Sequence, residues 1–156
     1  MAVNVDGTFF GTQLAARQMI AQGRGPDGLA GRIVNVTSPS AESNSDSQMA
    51  YAMSKAAVNR VTGGAAVALF EQHRIVVGAL KPYGVPSPML RGIFERRAEL
   101  RGGDPAAPAV ARARQLVHGR FEPLDVHAAV LLWMCAAPPE VINGHYVTSV
   151  PHSDRL

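Results

Sequence analysis

Two side chains in the segment QMAYAMSK, Tyr51 and Lys55, have types and spacing suited to moving a proton. Four residues along a helix is about one turn, so both emerge on one face. A phenol with a pKa of about 10 is a poor base at neutral pH, and a neighbouring ammonium lowers that value by favouring the phenolate. The tyrosine can then exchange a proton with a substrate hydroxyl or carbonyl. Lysine is scarce here, Lys55 and Lys81 being the only two among 15 cations, so the pairing is not a by-product of a lysine-rich helix. The packing alternative is a tyrosine laid on the helix with the lysine stem running past it.

Ser38 adds a hydroxyl at the end of the β-branched run IVNV, where the C-terminal edge of a parallel sheet collects ligand-binding groups. It could hold the substrate oxygen, although a serine after a strand is also a common turn residue. A second motif fails on context. GRGPDG, Gly23 to Gly28, fits the glycine pattern of dinucleotide-phosphate loops, but that pattern works by leading from a strand into a helix N-terminus. Here a helix precedes it and a strand follows, which predicts a simple connecting loop. The five histidines lack metal-ligand spacing, and Glu122 and Asp125 read as charges at a helix N-terminus.

These groups require elements to hold them. Phe10, Leu14 and Ile20, with Ala15 and Met19 beside them, predict a helix over Phe9 to Gln22, and Arg32 to Val36 a buried strand. Gln48 to Phe70 reads as one long helix with Ala50, Ser54, Val58, Val61, Ala65 and Leu69 recurring at spacings of three and four. Ile75 to Leu80 predicts a second strand, residues 89–100 a short amphipathic helix, Val110 to Val117 a further one, Asp125 to Ala136 another, and Val141 to Val150 the last strand. The apolar strands alternating with helices predict a partial Rossmann-like parallel α/β sheet of about three strands, in a single domain spanning residues 1–156.

At 156 residues, 47% hydrophobic and 17% charged, the chain has the composition of a globular domain. The longest apolar run, Ala128 to Ala137, falls well short of the roughly 20 residues of a membrane span, and a soluble, cytoplasmic protein is expected. The lone cysteine, Cys135, lies in that run and is expected to be a buried thiol. The formal net charge is +3. The arginines are dispersed, so a nucleic-acid surface is not expected.

Taken together, RIVNVTS, YAMSK and NVDGTFF resemble the short-chain dehydrogenase/reductase family: a strand ending in a catalytic serine, its Y-x-x-x-K motif, and the helix start that carries its asparagine. The resemblance implies a catalytic set of Asn4, Ser38, Tyr51 and Lys55. Tyr51 would be the general acid/base and Ser38 would orient the substrate carbonyl. Lys55 would bind the nicotinamide ribose and lower the tyrosine pKa, while Asn4 would support a water-linked proton relay. VVGALKPYGVPSPML is similar to the family's strand and loop against the nicotinamide, which adds Pro82, Val85 and Ser87 to Tyr51 and Lys55 as cofactor-binding residues. The implied cofactor is NAD or NADP, and the implied substrate a small carbonyl compound or alcohol.

The sequence departs from the family pattern in four places. Tyr83 stands where a glycine usually follows Pro82, and could narrow or cover the pocket. Ser87 replaces a threonine, and the last strand lacks an Asp-Gly-Gly ending. The strand, glycine-rich turn and helix that hold the adenine end have no counterpart before Asn4, so the resemblance is to the C-terminal portion of the family. The first strand would then lack a neighbour, and a homo-oligomer is expected, since the long helices resemble the family's dimer-forming pair. The alternative to an active enzyme is a catalytically inactive remnant serving as an oligomerisation or binding module.

Overall fold

A computed structural model describes residues 1–43, 48–84, 87–89, 92, 93, 96 and 123–149. Three strands, β1 (Gly31–Val36), β2 (Ile75–Lys81) and β3 (Tyr146–Thr148), form a parallel sheet in the order β1-β2-β3. β2 is central and buried at every position because it is paired on both sides and covered on both faces. Among the described residues β1 has a sheet neighbour on one side only, and its residues are mostly half-buried, with Val36 exposed at 52%.

Alternation along β2 divides the core. Ile75 and Val77 face α1 (Asp6–Gln22) and α2 (Met49–His73), meeting Ala16, Ala66 and the partly buried Met19, Ile33 and Leu69. Val76 and Leu80 face α3 (Leu124–Ala136) and the short α4 (Pro139–Ile142), meeting Met134, Ala137 and Ile142. The result is a three-layer arrangement, helices on both faces of a parallel sheet. Each fully buried valine or isoleucine of β2 stabilises it by roughly 1.5–3 kcal/mol.

Sequence and structure agree on the order of the large elements, and differ in which faces they present. The face of α1 toward the sheet is Thr12 and Ala16, and the expected stripe of Phe10, Leu14 and Ile20 points outward, 42–61% exposed. Small inward residues let the helix lie close, and Met19 fills the space above Gly31, where any side chain would collide with its thioether. The buried residues of α2 are Ser54, Val58, Asn59, Thr62 and Ala66; Ser54 and Val58 belong to the expected stripe, and Ala65 and Leu69 of that stripe pack, partly buried, against the same core.

Cys135 is exposed, contrary to the expected buried thiol, because α3 turns His127, Val130 and Met134 inward and leaves Leu131, Leu132 and Cys135 outside. The last strand is shorter than expected. Val141 belongs to α4, since Pro138 and Pro139 start a helical turn with proline at its first position, and pairing begins only at Tyr146.

The α2–β2 junction has no linker. Arg74 caps α2 in the left-handed region (φ 58°), its N–H returns to the Phe70 carbonyl, and Ile75 opens β2 directly. A non-glycine residue is strained there, and the Arg74 guanidinium, 4.4 Å from the Phe70 ring centroid, offsets part of that cost. GRGPDG is a helix-to-strand loop as expected. Its Gly23 and Gly28 have positive φ, the Gly25 and Gly28 amides are spent on its own carbonyls and that of Leu29, and the Asp27 carboxylate accepts the Leu29 N–H. In residues 89–100, Met89, Gly92, Ile93 and Arg96 are helical; the expected helix at Val110 to Val117 lies outside the described residues. Among the described residues no helix is long and apolar enough to cross a membrane.

Candidate active site

The first turn of α2 faces the end of β1, and that meeting point gathers the residues singled out by chemistry. Tyr51 is 41% exposed on the outer side of α2. One turn on, the Lys55 ammonium lies 5.9 Å from the Tyr51 ring centroid and donates to the Val36 carbonyl at 2.9 Å, so the lysine bridges the helix and the last residue of β1. Partial burial lowers the pKa of Lys55 from its ordinary value, because desolvation penalises the charged form. One of the three ammonium protons is used by Val36, which leaves two for other acceptors.

Ser38 follows β1 in extended conformation and is 9% exposed. Its hydroxyl oxygen accepts the Ser40 N–H at 3.2 Å and so caps the 3₁₀ turn Pro39–Ala41, leaving the hydroxyl proton to donate. The turn reading and the site reading of this serine therefore coexist. Asn4 sits in a turn that continues α1 toward the N-terminus, where the Val5 and Gly7 amides donate to Met1 and Ala2. Its side-chain amide donates to Ser54 Oγ at 3.0 Å, and Ser54 in turn donates to the Tyr51 carbonyl at 2.7 Å.

Asn4, Tyr51 and Lys55 are thus tied to one helical turn, and Lys55 ties that turn to β1 two residues before Ser38. Among the described residues no hydrogen bond joins Ser38 directly to Tyr51. Pro82 and Ser87 are half-buried, Pro82 immediately after β2 at the same edge of the sheet; Val85 lies outside the described residues. Lys81, 8% exposed, pairs with Glu42 at 2.8 Å and straps the loop carrying Ser38 to the end of β2.

Several supporting residues escaped sequence reasoning. Thr37 Oγ1 donates to Asn59 Oδ1, and lies 3.4 Å from the Lys55 carbonyl. Tyr146 on β3 donates to the Asn59 carbonyl at 2.9 Å. Asn35 donates to Thr62 Oγ1 at 3.0 Å, and Thr12 approaches Asn35 Oδ1 at 3.4 Å. One signal was available: Ser54, Asn59 and Thr62 are polar residues within three turns of each other on a helix that otherwise buries alanine and valine.

The family model for short chain dehydrogenase matches residues 1–98. The chain belongs to the short-chain dehydrogenase family. It is 31% identical over 142 residues to the oxidoreductase YohF of Escherichia coli K12, covering 91% of this chain and 49% of that protein. It is 34% identical over 149 residues to the short-chain dehydrogenase reductase ATA1 of Arabidopsis thaliana, covering 93% and 52%. The chain therefore spans about half the length of the curated relatives it matches.

Among solved structures, an acetoin dehydrogenase of Enterobacter cloacae matches with TM-score 0.66 and 29% identity, over 94% of this chain and 50% of that one. An NAD⁺-bound xylitol dehydrogenase matches with TM-score 0.75 and 26% identity, over 94% and 55%. The three-stranded parallel sheet is thus part of a Rossmann-type fold, and the family is one of oxidoreductases.

Proposed function

We propose that this chain carries the proton-transfer end of a nicotinamide-dependent oxidoreductase that interconverts a small carbonyl compound and its alcohol, with Tyr51 as general acid/base. The observation that carries the reading is the Lys55 bridge: an ammonium beside the Tyr51 ring, anchored to the last carbonyl of β1, with two further N–H donors that meet no acceptor among the described residues. Those donors suit the hydroxyls of a nicotinamide ribose, and the half-buried Pro82 directly follows β2 at the same edge. NAD or NADP, when bound, supplies or accepts the hydride.

The chain's residues do the rest. In reduction, Ser38 donates its free hydroxyl proton in a hydrogen bond to the carbonyl oxygen, and Tyr51 delivers the proton that makes it a hydroxyl. Lys55 holds positive charge beside the phenolate left behind, and Asn4, held by Ser54, orients the water from which Tyr51 recovers its proton. Oxidation runs these steps backward.

A second reading, an inactive oligomerisation or binding module, is favoured by the outward face of α1, where Phe9 and Phe10 are 50% and 56% exposed and stack edge to face at 5.4 Å. Fluorescence titration of the full chain with NADH and NADPH separates the two. The enzyme reading expects saturable binding and carbonyl-dependent oxidation, with Tyr51→Phe keeping the binding and losing roughly 10²-fold or more in turnover. A folded sample that binds neither cofactor at millimolar concentration overturns it for this chain, and sedimentation then tests self-association.

A further inference from the structure

Pro82 interrupts the sheet just where the strand must become a loop, because proline has no N–H to give. Ser149, immediately after β3, brackets it. The Ser149 N–H donates to the Lys81 carbonyl at 3.4 Å, and the Ser149 hydroxyl oxygen accepts the Tyr83 N–H at 3.3 Å. The same hydroxyl lies 2.6 Å from Nδ1 of His127, in the first turns of α3. Ser149 and His127 are 3% and 5% exposed, so water does not compete for these bonds.

Counting protons assigns the ring. The oxygen of Ser149 already accepts from Tyr83, and its one proton points to Nδ1, which places the imidazole proton on Nε2. The opposite assignment leaves the Ser149 proton without an acceptor among the described residues. Nε2 is buried with no hydrogen-bond partner among the described residues, a cost that a leucine at this inward position of α3 would avoid. Packing therefore does not account for the histidine, whereas its bond to Ser149 does.

We propose that His127 and Ser149 are a positioning pair, a buried latch that fixes the Pro82–Tyr83 segment and through it the strength of cofactor binding. The ligand in this proposal rests on the nicotinamide reading above; the latch rests on the bonds among α3, β3 and that segment. Among the described residues neither is hydrogen-bonded to Asn4, Ser38, Tyr51 or Lys55.

Two readouts on the full chain test it, with Ser149→Ala and His127→Leu as disrupting variants and His127→Asn as the conservative one, since asparagine keeps an acceptor near the Nδ1 position. Native-state amide exchange at Tyr83 should quicken about tenfold in the disrupting variants, with the amides of Ile75–Ala79 unchanged, and recover in His127→Asn. The KM and Kd for NADH or NADPH should rise by about the same factor, with kcat changing much less.

Unchanged Tyr83 exchange in both disrupting variants overturns the latch whatever the cofactor does. Faster exchange in a chain that binds cofactor with unaltered Kd overturns its role in cofactor binding. Faster exchange with no cofactor binding even by the unsubstituted chain supports the latch and rejects the nicotinamide reading.

Discussion

Ser54 joins Asn4 to the turn that carries Tyr51, and a double-mutant cycle measures that join. In Ser54→Ala the buried hydroxyl, 2% exposed, is lost together with its 3.0 Å bond from Asn4 and its 2.7 Å bond to the Tyr51 carbonyl. The first loss costs about 0.5–1.5 kcal/mol. The second costs less, since the Tyr51 carbonyl keeps its place in the helix ladder and alanine regains about 0.5 kcal/mol of helix propensity over serine. A net destabilisation of about 0.5–1 kcal/mol is expected.

Asn4 is only half-buried, so in Ser54→Ala its amide turns to water rather than staying unpaired. Asn4→Ala removes the same bond from the other side. The double variant should thus cost less than the two singles summed, by a coupling of about 1 kcal/mol. Urea unfolding followed by circular dichroism, at unchanged m value, gives the stability arm. Turnover gives the functional arm, where Ser54→Ala should reproduce part of the loss caused by Asn4→Ala. Stabilities that add to within about 0.3 kcal/mol would refute the coupling and make the Asn4–Ser54 contact energetically idle.

Two glycines and one lysine give further tests. A Cβ at Gly78 would stand 2.7 Å from Ile142 Cγ2 and 2.8 Å from the Ile142 carbonyl oxygen, so Gly78→Ala must displace α4 and should cost about 1–3 kcal/mol or more. At Gly31 the obstacle is the flexible Met19 side chain, and Gly31→Ala should cost under about 1.5 kcal/mol; the reverse ranking by thermal melting would contradict the packing described. Lys55, its pKa lowered by burial from 10.5, releases its proton in the folded state before the unfolded chain does. The unfolded state then binds more protons below pH 10.5, so this group's contribution to stability rises with pH through that window, and at neutral pH the desolvation cost is fully present. Lys55→Met should abolish turnover, keep or raise stability at pH 7 and flatten the rise toward pH 10; a marked loss of stability at pH 7 would mean that the bond to Val36 outweighs the burial of charge.

The parts of the fold that were legible in the sequence are those whose pattern is local. IVNV and IVVGAL are β-branched runs short enough to be strands only, and Tyr51 and Lys55 share a face because one turn separates them. Faces were less legible, because apolarity alone does not say which side of a helix meets the sheet. Phe10 and Leu14 point outward while Thr12 and Ala16 point in, and Cys135 is exposed within an apolar run. The bonds that hold the site in place were invisible for another reason. Asn4 and Ser54 are 50 residues apart, Tyr146 and Asn59 are 87 apart, and nothing in a single sequence pairs them.

Those long-range bonds answer a problem that the core of α2 creates. Its inward stripe is Ser54, Val58, Thr62 and Ala66, small side chains that would tolerate a slide or a rotation along the sheet with little loss of contact. A slip of one residue turns the helix by about 100° and carries Tyr51 and Lys55 away from the end of β1. The two buried polar pairs, Thr37–Asn59 and Asn35–Thr62, do not tolerate that slip, because each would leave a buried donor or acceptor unpaired at about 1–3 kcal/mol. Thr37 fixes Asn59, Asn35 fixes Thr62, Tyr146 fixes the Asn59 carbonyl, and Asn4 fixes Ser54, so β1, β3 and the turn before α1 all specify the same register. Apolar burial holds α2 against the sheet, and the polar pairs choose the register in which Lys55, with Tyr51 one turn before it, reaches the last carbonyl of β1.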